Sequence, residues 1–309
     1  ASLSLEDPYT VYMDKDEFES FNQMLDPEFC GIGVIVTKET DEQPLFVQSA
    51  IENSPAFKAG ITTGDRITKV NDISLVGLTI EEATKMIKGE EGSELTVTIL
   101  KGDSDSERKI WLTRQKIEVP IIYSQMLENN IGYISLSTFS EGSGNKFTTE
   151  MDKLISEGAE SLIFDLRGNG GGYSVEAEII ANALLPKNSV VYSIVSKTEQ
   201  TETITTTVDG TDIPLVLLVD ENSASASEIV AGAIKENNRG KLVGKTTFGK
   251  ALVQTVIPGS NGSALKVTIA RYFTPKGTDI QETGIVPDYE IDIKTPDDEQ
   301  LQFAIDLLG

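Results

Sequence analysis

Three alternate serines stand within the segment Val219-Asp220-Glu221-Asn222-Ser223-Ala224-Ser225-Ala226-Ser227-Glu228-Ile229-Val230. The apolar run that enters it, residues 213–219, is typical of a strand buried on both faces. Residues 228–236 predict a helix, because their apolar side chains recur on one helical face. Three serines therefore lie where a strand turns into a helix, and the free N–H groups of a helix N-terminus favour negative charge there.

The serines of this stretch allow two interpretations. Ser225 and Glu228 have the spacing of a capping box, in which a serine and a glutamate satisfy otherwise unpaired backbone N–H groups. A catalytic serine instead needs a general base. The chain contains no histidine, which excludes a Ser-His-Asp triad, so the well-attested base that is left is a lysine.

Lys250 is the candidate base, within the sequence Thr247-Phe248-Gly249-Lys250-Ala251-Leu252-Val253-Gln254. A lysine acts as a base near neutral pH only where burial lowers its pKa from about 10.4 to about 7–8, which disfavours the charged form by roughly 4 kcal/mol. Phe248 and Leu252 offer apolar surroundings, and Gln254 is spaced to orient the amine by a hydrogen bond. A single lysine is more commonly a solvated surface side chain, so this segment alone leaves both interpretations open.

Together, the serine segment and the segment from Phe248 to Gln254 resemble the carboxy-terminal processing (tail-specific) serine proteases, and the resemblance covers nearly the whole chain. The local sequence does not choose among the three serines; the resemblance implies that the middle one, Ser225, is the nucleophile. It also implies that Lys250 is the base and that Gln254 assists it. The expected fold is an α/β protease core with a largely parallel sheet, ClpP/crotonase-like, joined to a PDZ β-module.

A glycine-rich loop, Asp165-Leu166-Arg167-Gly168-Asn169-Gly170-Gly171-Gly172, follows a buried strand predicted at residues 161–166. Nucleotide binding is the rival interpretation, but Tyr173 stands where the dinucleotide fingerprint needs its third glycine, and the loop lacks the Gly-Lys-Ser/Thr of a P-loop. Glycines also let backbone N–H groups approach a developing oxyanion. The resemblance implies that Gly171 or Gly172 supplies one oxyanion donor and that Ala226 supplies the other.

Residues 29–117 resemble a PDZ domain, whose carboxylate-binding loop matches Gly31-Ile32-Gly33-Val34. Glycines let successive N–H groups converge on a terminal carboxylate, and the neighbouring strand edge pairs with the peptide backbone. A helix predicted at residues 79–88 carries Ile80 and Ile87 on the face that is expected to contact the peptide. The alternative is a structural β-module that binds no peptide.

The rest of the chain completes the predicted domain order. Residues 1–28 are predicted as an N-terminal helical segment that starts at Asp7-Pro8-Tyr9, and residues 114–120 as the linker into the core. Residues 118–309 alternate strands and helices, which argues for an α/β core. In the C-terminal helix predicted at residues 297–308, an apolar stripe predicts a core contact or an oligomer contact.

The composition of the chain limits the partners and cofactors that it can be expected to bind. The net charge of −23 and the pI of about 4.3 disfavour binding to nucleic acid. The single cysteine, Cys30, excludes an intrachain disulfide framework, and no metal or organic cofactor is implied, since the usual zinc ligands are missing. The sequence contains no long apolar run and no leader, so we expect no membrane span within it. The resemblance nevertheless implies an extracytoplasmic location: periplasmic, cell-envelope or secreted.

These observations predict a serine endopeptidase with a Ser-Lys dyad that processes or degrades proteins recognised near their C-termini. The PDZ domain is expected to bind peptide C-termini and to gate activity. The expected partners are protein or peptide substrates, and a homo-oligomer of this chain is a further candidate. The alternative, from another class of protein, is a non-catalytic PDZ scaffold that only binds peptide.

Overall fold

The computed structural model describes residues 7, 9–25, 28–102, 106–196, 198, 200–293 and 298–309. The chain divides into two compact units. The smaller unit is Pro27–Val119, and the core unit consists of Ala1–Asp26 together with Pro120–Gly309. The N-terminal residues, predicted as a segment of their own, are therefore grouped with the residues that carry the serine and lysine motifs.

The strands are β1 (Val11–Met13), β2 (Glu28–Gly31), β3 (Val34–Thr37), β4 (Leu45–Ala50), β5 (Arg66–Val70), β6 (Ile73–Ser74), β7 (Glu94–Leu100), β8 (Glu107–Thr113), β9 (Gln115–Glu118), β10 (Ile122–Met126), β11 (Ile131–Leu136), β12 (Ser161–Asp165), β13 (Val190–Ser196), β14 (Thr201–Thr205), β15 (Leu215–Val219), β16 (Lys241–Gly244), β17 (Leu252–Pro258), β18 (Ala264–Phe273) and β19 (Tyr289–Glu290). The helices are α1 (Lys15–Leu25), α2 (Pro55–Lys58), α3 (Ile80–Ile87), α4 (Ser143–Ser156), α5 (Ser174–Leu184), α6 (Ala226–Glu236) and α7 (Glu299–Leu308), with a 3-10 turn at Glu128–Asn130. Within the described ranges, none of these helices has the length and apolar character needed to cross a membrane.

A largely parallel sheet forms the centre of the core unit, in the order β10-β11-β12-β15-β16-β19. β10 is antiparallel to β11, and each later pair in this order is parallel. Along β15, Leu217 and Val219 pack in a cluster with side chains of α4, α5 and α6. Val216 and Leu218 pack in another cluster with Ala304 of α7. The strand is therefore buried on both faces, the α/β class is confirmed, and the apolar stripe of α7 is a core contact.

A second, antiparallel sheet in the core unit has the order β1-β18-β13-β14. Strand β17 also pairs with β18. The chain thus contributes its strand β1 to this sheet before the smaller unit begins. The helix start predicted at Asp7-Pro8-Tyr9 is wrong, because α1 begins at Lys15. The cause is a capping pair: the carboxylates of Asp14 and Glu17 each accept the other residue's backbone N–H at 2.9 Å.

The smaller unit contains a sheet in the order β3-β4-β5-β7-β8, with β6 on β5, and a separate antiparallel pair of β2 with β9. The linker predicted at residues 114–120 is wrong in part, because it contains β9. Strand β8 was not predicted at all. Its alternation of buried Ile110 and Leu112 with Trp111, which is 72% exposed, follows three charged residues that obscure the pattern.

An ion-pair cluster fastens α7 to the parallel sheet. The guanidinium of Arg167 contacts Asp165, at the end of β12, at 2.6 Å, and Asp298 at 2.7 Å. Asp298 in turn accepts the Leu301 N–H at 3.0 Å and so caps α7. Burial acts to lower the pKa of Arg167, but its hydrogen bonds to the two carboxylates outweigh this and raise that pKa. The Arg167 guanidinium therefore stays charged, and its contacts hold the helix against the sheet.

Replacing Arg167 by methionine should destabilise the core unit by about 3 kcal/mol, because the buried Asp165 carboxylate loses its cation. The measurement is urea unfolding followed by circular dichroism. The matched control is Lys153→Met, which breaks an exposed pair with Glu150 and should cost at most about 1 kcal/mol. Equal losses in the two variants would contradict the role given to Arg167.

Candidate active site

Ser225 occupies the turn between β15 and α6 with an unusual backbone conformation. Its φ is 54° and its ψ is −111°, values that a residue other than glycine seldom adopts. Such strain costs about 1–3 kcal/mol and is found at functional sites, where a sharp strand-to-helix turn presents a serine hydroxyl. Ser225 lines a cavity of about 910 Å³ that is also lined by Lys250 and Gly172.

The other two serines of this turn have structural partners. The fully buried Ser223 hydroxyl donates to the Leu166 carbonyl at 2.8 Å. The fully buried Ser227 hydroxyl donates to the Asn169 carbonyl, also at 2.8 Å. Both bonds tie the turn to the glycine-rich loop, whereas Ser225 alone among the three lines the cavity. This difference was not readable from the sequence, since all three serines lie within five residues.

Lys250 faces the same cavity with its pKa below the usual value for lysine. Burial is the largest cause, and the positive charge of Lys266 lowers the pKa further, while the negative charge of Glu228 acts in the opposite direction. The expected shielding by Phe248 is wrong, because that side chain is 54% exposed. Within the described ranges no hydrogen bond joins the Ser225 hydroxyl to the Lys250 amine; such bonds are often long in free enzymes and tighten with substrate.

The buried carboxylate of Glu228 joins the serine turn to the lysine loop. One oxygen accepts the N–H groups of Ser225 and Lys250, each at 2.9 Å. The other oxygen accepts the Thr247 hydroxyl at 2.6 Å and the Gly249 N–H at 2.7 Å. The Glu228 half of the capping box is therefore present, but the same carboxylate also fixes the nucleophile turn relative to the base. The sequence pointed only to the first role.

A second group bridges the same two segments. The hydroxyl of Tyr272, on β18, lies 3.1 Å from the Ser225 carbonyl oxygen and 2.9 Å from the Lys250 carbonyl oxygen. Burial, followed by the nearby Glu228 charge, raises the pKa of Tyr272, so the phenol stays protonated and donates. No pattern in the sequence pointed to a role for Tyr272.

Gln254 does not contact Lys250 in the way the sequence interpretation assumed. Its side-chain amide donates to the backbone carbonyl of Tyr9 at 2.7 Å. The ring of Tyr9 in turn lies 5.6 Å, centroid to nitrogen, from the Lys250 amine. Gln254 lines the cavity, but its contact with the base is indirect and runs through Tyr9.

The glycine-rich loop packs against the serine turn at backbone distance. A side chain on Gly171 would lie 2.6 Å from the Ala224 carbonyl, and the φ of Gly171 is 100°, so glycine is required there. The Gly171 N–H is occupied, because it donates to the Asn169 side chain at 2.9 Å. In the described residues, the N–H groups of Gly172 and Ala226 have no hydrogen-bond partner. Of the two glycines predicted as donors, Gly172 is therefore the one left free.

The loop proposed to bind a peptide carboxylate lies in the smaller unit. Gly33 has a φ of 76°, and a side chain there would lie 2.2 Å from the Cβ of Ser54, so the loop requires glycine. The Ile32 and Gly33 carbonyls accept the N–H groups of Ala56 and Ile51, each at 2.9 Å, which fixes the loop.

The isoleucines predicted to contact the peptide lie in different environments. Ile32 is fully buried and Ile87 is nearly so, and both belong to the core of the smaller unit. The prediction that the Ile87 side chain contacts the peptide is therefore corrected, because this side chain packs inward from α3. Ile80 is partly buried, and Gly31 and Val34 form the two ends of the loop. Peptide contact at Ile32 is expected through its backbone N–H.

Two protein-family models match separate parts of the chain. The family model for peptidase family S41 matches residues 130–291, and the PDZ domain model matches residues 23–100. The chain therefore belongs to peptidase family S41, whose fold it carries together with a PDZ domain.

Particular relatives share most of this chain. The carboxy-terminal processing protease CtpA of Bacillus subtilis (strain 168) is 36% identical over 304 residues, which cover 97% of this chain and 64% of that protein. The probable CtpA-like serine protease of Staphylococcus haemolyticus (strain JCSC1435) is 36% identical over 291 residues, covering 93% of this chain and 58% of that protein. The chain thus spans less than two thirds of the length of either relative.

A solved structure shares the fold as well. The photosystem II D1 C-terminal processing protease matches with a TM-score of 0.56 at 28% identity, covering 93% of this chain and 79% of that one. A putative S41 protease from Bacteroides fragilis NCTC 9343, at 15% identity and a TM-score of 0.59, shares the fold alone.

Replacing Glu228 by glutamine should lower kcat/KM for a peptide substrate by at least about 100-fold, as misplacement of reacting groups does. Glutamine has one acceptor oxygen, so its NH2 group would face backbone N–H donors that now bond to the carboxylate. The matched control is Glu236→Gln on the same helix, which also accepts a threonine hydroxyl and a backbone N–H, but from residues 274 and 276 and not from the serine turn or the lysine loop. Equal activity loss in both variants would contradict the positioning role.

Proposed function

We propose that the chain is a serine endopeptidase in which Ser225 is the nucleophile and Lys250 is the general base. The observation that carries the proposal is the shared cavity: of the three clustered serines, Ser225 faces it, opposite a lysine whose pKa is lowered by burial. Lys266 supports the same role, because its charge disfavours the protonated form of Lys250. We expect the protein to act outside the cytoplasm, as the resemblance implies.

The steps follow from these positions. The neutral Lys250 amine takes the Ser225 proton while the hydroxyl oxygen attacks the scissile carbonyl carbon. The oxygen of the tetrahedral intermediate lies against the N–H groups of Gly172 and Ala226. The Lys250 ammonium then donates its proton to the leaving amine, which frees the C-terminal fragment and leaves an acyl-enzyme. Water, deprotonated by Lys250, hydrolyses that ester and regenerates Ser225.

Two features prepare the site for this reaction. The Glu228 carboxylate and the Tyr272 hydroxyl hold the serine turn and the lysine loop at a fixed separation, so little reorganisation is needed. Gln254 supports Lys250 through Tyr9 in this proposal, instead of by a direct bond.

A hydrolysis assay on a denatured protein substrate tests the dyad. Ser225→Ala and Lys250→Arg should both lose turnover while remaining folded, since arginine does not lose its proton in proteins. The kcat/KM of the unaltered chain should rise with pH as Lys250 deprotonates, and the rise should come at a lower pH than that of an ordinary lysine, because burial lowers the pKa of this amine. Near-normal activity in Lys250→Arg, or a rate that is flat from about pH 5 to 9 with chemistry limiting, would contradict a lysine base.

A non-catalytic PDZ scaffold is the second candidate. The missing hydrogen bond between Ser225 and Lys250 in the described residues is the observation that favours it. The same assay separates the two functions, because a scaffold would show no Ser225-dependent hydrolysis under any condition of pH.

The smaller unit is proposed to bind peptide C-termini at the Gly31-Ile32-Gly33-Val34 loop and to gate the core. The fixed loop and its required glycine support carboxylate capture by backbone N–H groups. A unit that only tethers substrate raises local concentration and lowers the apparent KM. A unit that gates also changes kcat, because peptide binding shifts the site between two states.

Deleting residues 29–117 tests gating against tethering. Glu28 pairs directly with Glu118 in the β2–β9 ladder, so a linker of a few residues bridges the cut. The assay uses a peptide too short to occupy both units. Gating predicts an altered kcat on this peptide, in either direction, with Ser225 still required. An unchanged kcat would support tethering and overturn gating.

A further inference from the structure

The N-terminal turn of residues 7–10 lies against the proposed base. The Tyr9 ring centroid is 5.6 Å from the Lys250 amine, and the Tyr9 carbonyl accepts the Gln254 amide at 2.7 Å. Tyr9 thus contacts both the proposed base, Lys250, and the residue predicted to assist it, Gln254. Its two contacts use different groups, the ring and the backbone carbonyl, so they can be altered separately.

Side-chain hydrogen bonds fix this turn. The Asp7 carboxylate accepts the Tyr9 N–H at 3.0 Å and the Thr10 hydroxyl at 2.6 Å. The Thr10 hydroxyl in turn accepts the N–H of Thr268 on β18 at 3.2 Å. Burial acts to raise the pKa of Asp7, but its hydrogen bonds from the Thr10 hydroxyl and from the backbone outweigh this and lower it. The turn is therefore anchored by an ionised carboxylate, and β1 continues it into the sheet.

The Tyr9 residue borders a second cavity as well as contacting the Lys250 amine. Tyr9 lines a second cavity, of about 510 Å³, whose walls include the charged side chains of Asp7, Arg271 and Glu282. Lys250 lines the catalytic cavity and not this one. Removing the ring would extend this second cavity towards the Lys250 amine and admit water to it.

Two opposing effects of the ring on Lys250 can be compared. An aromatic face attracts an ammonium group by about 0.5–1 kcal/mol at accessible sites, which favours the charged form. Excluding water disfavours the charged form. With the ring in place the pKa of Lys250 is lowered, burial is the largest cause, and the Tyr9 ring is one of the groups that surround the amine. The other charged groups facing the amine are Lys266 of β18, which lowers that pKa, and Glu228 of α6, which raises it.

We propose that Tyr9 is a positioning residue for Lys250: its ring keeps water from the amine, and its carbonyl holds Gln254 in the cavity. This inference rests on the proposed function of Lys250 as the base. It gives the N-terminal turn a part in the chemistry, although the turn carries no reacting group.

The first test is the pH dependence of kcat/KM on a short peptide. In Tyr9→Ala the rising limb should move to higher pH by about one unit, which corresponds to a tenfold loss of neutral amine below the limb. Tyr9→Phe keeps both the ring and the carbonyl and should retain the original limb. The matched control is Tyr12→Ala on β1, where the side chain is 61% exposed, and it should also match the unaltered chain. A uniform activity loss in Tyr9→Ala, with the limb unmoved, would reduce Tyr9 to structural support and overturn the proposal.

A second measurement is independent of activity. In a Ser225→Ala background, competitive acetylation of Lys250 is followed by mass spectrometry across a range of pH, with and without Tyr9→Ala. The amine should titrate at higher pH when the ring is removed. An unchanged titration overturns the role of Tyr9 even where hydrolysis is normal, whereas absence of Ser225-dependent hydrolysis in the unaltered chain refutes the proposed function instead. Tyr9→Val, whose side chain is too short to fill the space of the ring and leaves room for water, replaces Tyr9→Ala if that variant folds poorly, and an upward shift is required of it as well.

Discussion

The Glu228 carboxylate is enclosed by the core unit and accepts one hydroxyl and three backbone N–H groups. A buried carboxylate without donors would cost several kcal/mol in lost hydration. The four donors come from the Ser225 turn and from residues 247–250, so the fold satisfies this group only by bringing the two segments together. The separation between the proposed nucleophile and base is thus a consequence of solvating one anion with backbone and side-chain dipoles.

The same anion works against the chemistry that it organises. Its negative charge favours the protonated form of Lys250, whereas a general base has to be neutral. Burial of the amine and the charge of Lys266 act in the other direction and prevail. The core unit therefore holds a compromise, in which a positioning charge is tolerated because neighbouring groups cancel its effect on the base.

Local sequence patterns predicted the elements that depend on nearby residues. The strands predicted at 161–166 and 213–219 and the helix predicted at 228–236 all form within two residues of their predicted bounds, because the hydrophobic pattern alone indicates them. The contacts that complete the candidate site have no such signature. Gln254 and Tyr9 are 245 residues apart, and their bond depends on a β1–β18 pairing that neither segment reveals. The exposure of Phe248 and the occupied N–H of Gly171 likewise follow from packing that only the folded chain defines.

The pairing of β1 with β18 also has a consequence for biosynthesis. Tyr9 leaves the ribosome long before Lys250 and Thr268, and the whole smaller unit is translated between them. Domains tend to fold as they emerge, but contacts between distant residues wait for the later partner. A nascent polypeptide therefore cannot enclose the lysine amine until β18 has been made. The proposed base would then acquire its surroundings only after the smaller unit has been translated and has had time to fold.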